Sequence, residues 1–127
     1  MTRVAILDYG MGNLRSVEKA LERAGAEAAI TRDAELVRDA DGVVLPGVGA
    51  FPEAMRRVRE LGLDALVAER VATGVPTLGI CLGLQLLFER SSELGGSTGL
   101  GLIPGEVGMI DLAHLIEPRA IAGLIRA

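Results

Sequence analysis

Short runs of aliphatic residues, each passing into a turn and then a helix-like stretch, restrict most strongly what this chain can fold into. Val4-Ala5-Ile6-Leu7 is the first run, and the turn Asp8 to Gly12 follows it. Val43-Val44-Leu45 is stopped by Pro46, and Val75 to Ile80 leads straight into Cys81. Continuous apolar runs of this kind are expected of strands buried on both faces of a parallel sheet. Asn13 can cap a helix in which Leu14, Val17, Leu21 and Ala24 form one stripe, ended by Gly25. Ala26 to Ile30 reads as a weak strand, and Asp33 to Arg38 as a short helix or turn.

Pro52 suits the first turn of a helix, where its missing N–H would have no partner in any case. Met55, Val58 and Leu61 supply the inward side, and Leu63, Leu66, Val67 and Val71 continue a second part kinked around Gly62. Leu84, Leu86, Leu87 and Phe88 are expected in a very apolar helix after Cys81. Strands alternating with helices predict the α/β class. The arrangement expected is a flavodoxin-like, doubly wound parallel sheet of about five strands in three layers.

At 127 residues the chain is expected to form one domain, 1–127, large enough to bury a core without staples. Aromatics are only 2%, so that core must come from Ala, Val, Leu and Ile. The net charge of -4 is spread along the chain, which argues against a nucleic-acid partner. A single cysteine cannot close an internal disulfide, so a cytoplasmic setting is expected. The start, MTRVAILDYG, lacks the parts of a signal peptide, and Val75 to Phe88 is too short to span a membrane. No metal or cofactor is expected, and neither glycine-rich loop has the Lys-Ser/Thr pair of a phosphate-binding loop.

The chemistry converges on Cys81. Gly79-Ile80-Cys81-Leu82-Gly83 is a G-x-C-x-G form of the nucleophile elbow. Its glycines relieve crowding at a sharp strand-to-helix turn, and the helix turns N–H groups toward developing negative charge. A lone cysteine can equally be a small buried hydrophobe, but the elbow spacing favours a thiol nucleophile. In an open α/β sheet the active site lies beyond the C-terminal ends of the strands. DYGMGN, PGVGAFPE and CLGLQ all fall there. In PGVGAF a flexible turn competes with a backbone oxyanion hole, and pairing with the elbow favours the latter. Gln85 stands one helical turn after Cys81 on the same face, as a packing residue or a substrate contact.

Together, DYGMGNLRS at 8–16, LPGVGAFPEAM at 45–55 and GICLGLQLLFE at 79–89 resemble the glutaminase subunits of imidazole glycerol phosphate synthase. These are class I glutamine amidotransferases of histidine biosynthesis. GLGLIPGEV at 99–107 extends the resemblance, so 1–107 are family-like and 108–127 form an atypical tail. The resemblance implies that Cys81 attacks the side-chain amide of glutamine. It implies an oxyanion hole from Gly47, Val48, Gly49 and the N–H of Leu82, with Gln85 holding substrate. Ammonia would pass to a TIM-barrel cyclase subunit.

The family's H-x-E pair of catalytic histidine and glutamate has no match here. The single histidine, His114, lies in the tail GMIDLAHLIEPRAIAGLIRA, and Glu117 follows it by three residues rather than two. The tail is open to reading as an altered frame, a fused segment or a deliberate rebuild. Val107 to Ala113 could add a fifth strand beside the fourth, about 5 Å away, which would bring His114 to the Cys81 edge. Pro118 could open a helix to Arg126. A Cys81–His114 dyad competes with a boundary histidine bonded to solvent or backbone. Without a positioned base, glutaminase turnover is expected to be very low or absent. The alternative is a catalytically idle flavodoxin-like scaffold, or a fragment that forms a homodimer through uncovered surface.

Overall fold

The computed structural model describes residues 1–109. Its elements are β1 (Arg3–Leu7), α1 (Leu14–Arg23), β2 (Glu27–Thr31), α2 (Ala34–Asp39), β3 (Gly42–Leu45), α3 (Phe51–Glu60), α4 (Leu63–Ala72), β4 (Thr77–Gly79), α5 (Leu82–Leu86), β5 (Phe88–Ser91), β6 (Ser97–Thr98) and β7 (Ile103–Val107). β1 to β4 form one parallel sheet in the order β2-β1-β3-β4. This is the doubly wound arrangement that the alternating pattern predicts.

Side chains alternate across the sheet. Ala5, Leu7, Val43 and Leu45 face one side and join Val37, Phe51, Met55, Val58, Leu63 and Val67 in a single core. Each such large side chain contributes roughly 1.5–3 kcal/mol by leaving water. Ile6 and Val44 point to the other face and are also buried. α1 packs on that face against β1 and β2, giving the third layer. None of its residues is fully buried, so its stripe of Leu14, Val17 and Leu21 is only half covered.

Several local features differ from expectation. Asn13 occupies the N-cap of α1 without a side-chain cap bond. Asp33 does cap α2, accepting from the Glu35 N–H at 2.9 Å. Gly62, at φ 71°, separates α3 from α4 outright rather than kinking one helix. The apolar helix after Cys81 ends at Leu86, and Phe88 opens a strand. The cause is competition for carbonyls. Leu100 N–H donates to Leu86 O and Leu102 N–H to Leu87 O, both at 2.8 Å, where a continuing helix would have placed its own donors.

β5 belongs to a second sheet of order β6-β5-β7, pairing antiparallel with β6 and parallel with β7. β7 ends at Val107 and lies beside β5. Most of the fifth strand expected from Val107 to Ala113, His114 and the helix expected from Pro118 to Arg126 lie outside the described residues. Among the described residues β4 is therefore an edge of the main sheet. No described helix is long and apolar enough to cross a membrane.

Candidate active site

β4 delivers Cys81 to the C-terminal edge of the sheet, where the thiol is exposed. Cys81 has φ 55° and ψ -123°, a backbone conformation that ordinary L-residues avoid. Such a conformation costs of order 1–3 kcal/mol and persists only where its surroundings enforce it. They do so here. Ile80 N–H donates to Leu45 O at 3.0 Å, tying the elbow to the end of β3. Gly83 N–H donates to Ile80 O, and Leu84 N–H to Cys81 O, both at 3.0 Å. The two flanking glycines are sterically required. A Cβ on Gly79 would stand 2.6 Å from the Leu84 Cα, and one on Gly83 would overlap the Leu45 carbonyl oxygen.

The loop from Pro46 to Ala50 packs directly on this elbow. A Cβ on Gly47 would meet Gly83 N at 3.0 Å and the Leu82 Cβ at 3.1 Å. Gly49 has φ 102°, in the region that favours glycine, and Val48 points outward with 55% exposure. The loop is fixed at both ends by side chains from elsewhere. At its start the Tyr9 hydroxyl donates to Pro46 O at 2.5 Å, with Tyr9 almost fully buried. Burial pushes the Tyr9 phenol up to about 12, further from the neutral range in which any tyrosine is already a protonated donor. At its end the Phe51 N–H donates to a carboxylate oxygen of Glu93 at 3.0 Å.

Glu93 belongs to a one-turn 3-10 segment, Glu93–Gly95, between β5 and β6. Ser91, itself buried, accepts from the Glu93 N–H through its hydroxyl at 3.1 Å and so orients the segment. These residues, with Gly49, Gln85, Leu94 and Val107 to Met109, surround a hollow of about 590 Å³. Gln85 is exposed, one turn along α5 from Cys81, and borders this hollow, whose lining does not include Cys81. Leu94, with φ 50°, shares with Cys81 the distinction of being a non-glycine residue in the left-handed region.

The expected site residues thus divide cleanly. Gly47, Leu82 and Cys81 come together at the elbow, while Gly49 and Gln85 border one hollow. His114 lies outside the described residues, and none of the described residues is a histidine. Among the described residues no three His, Cys, Asp or Glu side chains converge as a metal site would need. Tyr9 and Glu93 were not singled out by sequence. Their partners lie 37 and 42 residues away, and only the lone tyrosine beside a glycine-rich turn carried any signal.

Comparison with known proteins places this geometry. Residues 5–114 match the family described as glutamine amidotransferase class-I. The chain is 55% identical over 113 residues to an "Imidazole glycerol phosphate synthase subunit HisH" of Bacillus cereus strain G9842, covering 89% of this chain and 54% of that protein. It is 55% identical over 107 residues to the protein of the same name from Moorella thermoacetica, covering 84% of this chain and 51% of the other. A solved structure described as a glutamine amidotransferase superposes with a TM-score of 0.70 at 27% identity, covering 83% of this chain and 55% of that one. The chain spans about half the length of the curated relatives it matches.

Proposed function

Because the chain belongs to the class-I glutamine amidotransferase family, we propose that its described residues form the nucleophile-bearing part of a glutamine-hydrolysing site. The observation that carries this reading is Cys81, exposed and held at φ 55° between β4 and α5 beside the loop of Gly47 to Gly49. The Cys81 thiolate attacks the side-chain amide carbon of glutamine, forming a C–S bond and placing negative charge on the amide oxygen. Backbone N–H groups of Gly47, Val48, Gly49 and Leu82 stabilise that oxyanion. Collapse breaks the C–N bond, the nitrogen leaves as ammonia once protonated, and water hydrolyses the glutamyl thioester to glutamate. Gln85, at the border of the hollow, holds the substrate.

Both attack and departure of ammonia need a positioned base. His114, which lies outside the described residues, is the candidate for that role. The relatives are named as subunits of imidazole glycerol phosphate synthase. That supports a role in supplying ammonia to a TIM-barrel cyclase subunit in the cytoplasm, for histidine biosynthesis.

A chloroketone that mimics glutamine tests the reading. It should alkylate Cys81, as located by peptide mass spectrometry, and free L-glutamine should slow the labelling. Cys81→Ala should abolish it. Labelling that glutamine leaves unaffected would remove the substrate assignment. Ammonia release, with and without the cyclase subunit, examines turnover. Its loss in His114→Ala would give His114 the role of base.

A second reading has its own observation. Leu78, in the edge strand β4, is 54% exposed although its register partner Val44 is buried. An uncovered apolar edge of this kind favours self-association, and the chain would then act as a homodimeric scaffold with an idle elbow.

A further inference from the structure

We propose that Tyr9 is a positioning residue for the loop that stabilises the oxyanion: its hydroxyl, bonded to the Pro46 carbonyl, sets the orientation of the backbone N–H groups that follow. This rests on the reading of Gly47 to Gly49 as the oxyanion loop.

Tyr9 comes from the end of the first strand–turn unit, yet its hydroxyl reaches Pro46 O at 2.5 Å. A peptide group is planar, so a fixed carbonyl fixes the N–H on its opposite side. Anchoring Pro46 O therefore sets the direction of the Gly47 N–H. That control matters because glycine imposes little direction of its own, and Gly47 and Gly49 leave the peptides between them free to rotate. Gly47 and Tyr9 are also sterically matched, since a Cβ on Gly47 would overlap the Tyr9 hydroxyl oxygen. The ring is 2% exposed, and the hydroxyl is thus held by packing and not merely by its bond. At the far end Glu93 holds the Phe51 N–H, so rotation of the loop is limited from both sides. A donor fixed in advance stabilises developing charge without reorganising when the reaction occurs.

The test compares two reactions of Cys81 at one pH. p-Nitrophenyl acetate acylates the thiolate through a tetrahedral oxyanion: a C–S bond forms, the ester C–O bond breaks and p-nitrophenolate leaves. Iodoacetamide alkylates the same sulfur by displacing iodide, with no oxyanion. The ratio of the two rates cancels the fraction of thiolate, which enters both equally. With Cys81→Ala as the blank, Tyr9→Phe should lower that ratio by about tenfold. This is less than the roughly 100- to 1,000-fold that loss of a donor outright costs. A purely structural role for Tyr9 would lower the melting temperature and leave the ratio in place. Gly47→Ala, which puts a methyl where the hydroxyl stands, should lower the ratio at least as far and serves if Tyr9→Phe does not fold.

N-acetylcysteine provides the free-thiol reference. A wild-type ratio above the reference, unchanged in Tyr9→Phe or in the substitute variant, overturns this inference alone. A wild-type ratio no higher than the reference overturns the oxyanion reading and this inference with it.

Discussion

At the scale of single residues, the elbow depends on side chains that are not there. Cys81 keeps its strained conformation because Gly79 admits the Leu84 backbone and Gly83 admits the Leu45 carbonyl. Gly83 is in contact with the end of β3, so a methyl group there has to displace backbone rather than a flexible side-chain tip. Gly83→Ala is expected to destabilise the fold by about 1–3 kcal/mol, the usual range for overpacking. Urea unfolding followed by circular dichroism measures it, and a loss below about 0.5 kcal/mol would mean that the loop moves aside. The elbow was legible because its glycines sit at fixed sequence offsets from the cysteine. Tyr9 was not, because nothing local to DYGMGN names Pro46 as its partner.

At the scale of elements, α3 carries its own charge pattern. Glu53, in the first turn, pairs with Arg56 and Arg57, and Arg56 also meets Glu60. Hydrogen bonding from Arg56, then from Arg57, holds the Glu53 carboxyl down at about 2, against an ordinary value of 4.5. A depressed folded value means that the pairing stabilises fully above pH 4.5 and loses its effect as pH falls toward 2. The pairs are on the surface, so the contribution is modest. Melting curves of the wild type and Glu53→Gln should differ at pH 6 and converge as pH drops through this window; parallel curves would contradict it. A helix start around Pro52 was evident from sequence, and α3 begins one residue earlier, at Phe51. The end of α5 was not, since Leu86-Leu87-Phe88 suits a buried helix as well as a strand. Backbone donors from Leu100 and Leu102 settle the matter, and they are supplied by a distant segment.

At the scale of the molecule, β4 is an edge of the main sheet among the described residues. Ile6, Val44 and Leu78 form a row across β1, β3 and β4 by register. The first two are buried, whereas Leu78 is more than half exposed. If the chain self-associates through this edge, Leu78→Lys should shift it toward monomer in sedimentation velocity across a concentration series. A wild type that is monomeric throughout, or a variant that associates equally, would exclude this edge as the interface. The second sheet gave little warning in sequence. β5 and β7 read FERS and IPGEV, with neither alternation nor a sustained apolar run. Their pairing is a tertiary choice.

What the sequence determined by itself was the parallel α/β arrangement, the order of its first strands and helices, and the placing of Cys81 at a strand-to-helix turn. These are set by periodicity, by glycine and proline, and by spacing within a few residues, where local sterics act alone. Tertiary structure decided where the apolar helix stops, which strand β7 joins, and how the glycine loop is pinned by Tyr9 and Glu93. Each of these depends on donors and acceptors that meet across more than ten residues of chain. A sequence can mark a glycine as free to turn, but the direction it takes is set by partners that only folding brings within reach.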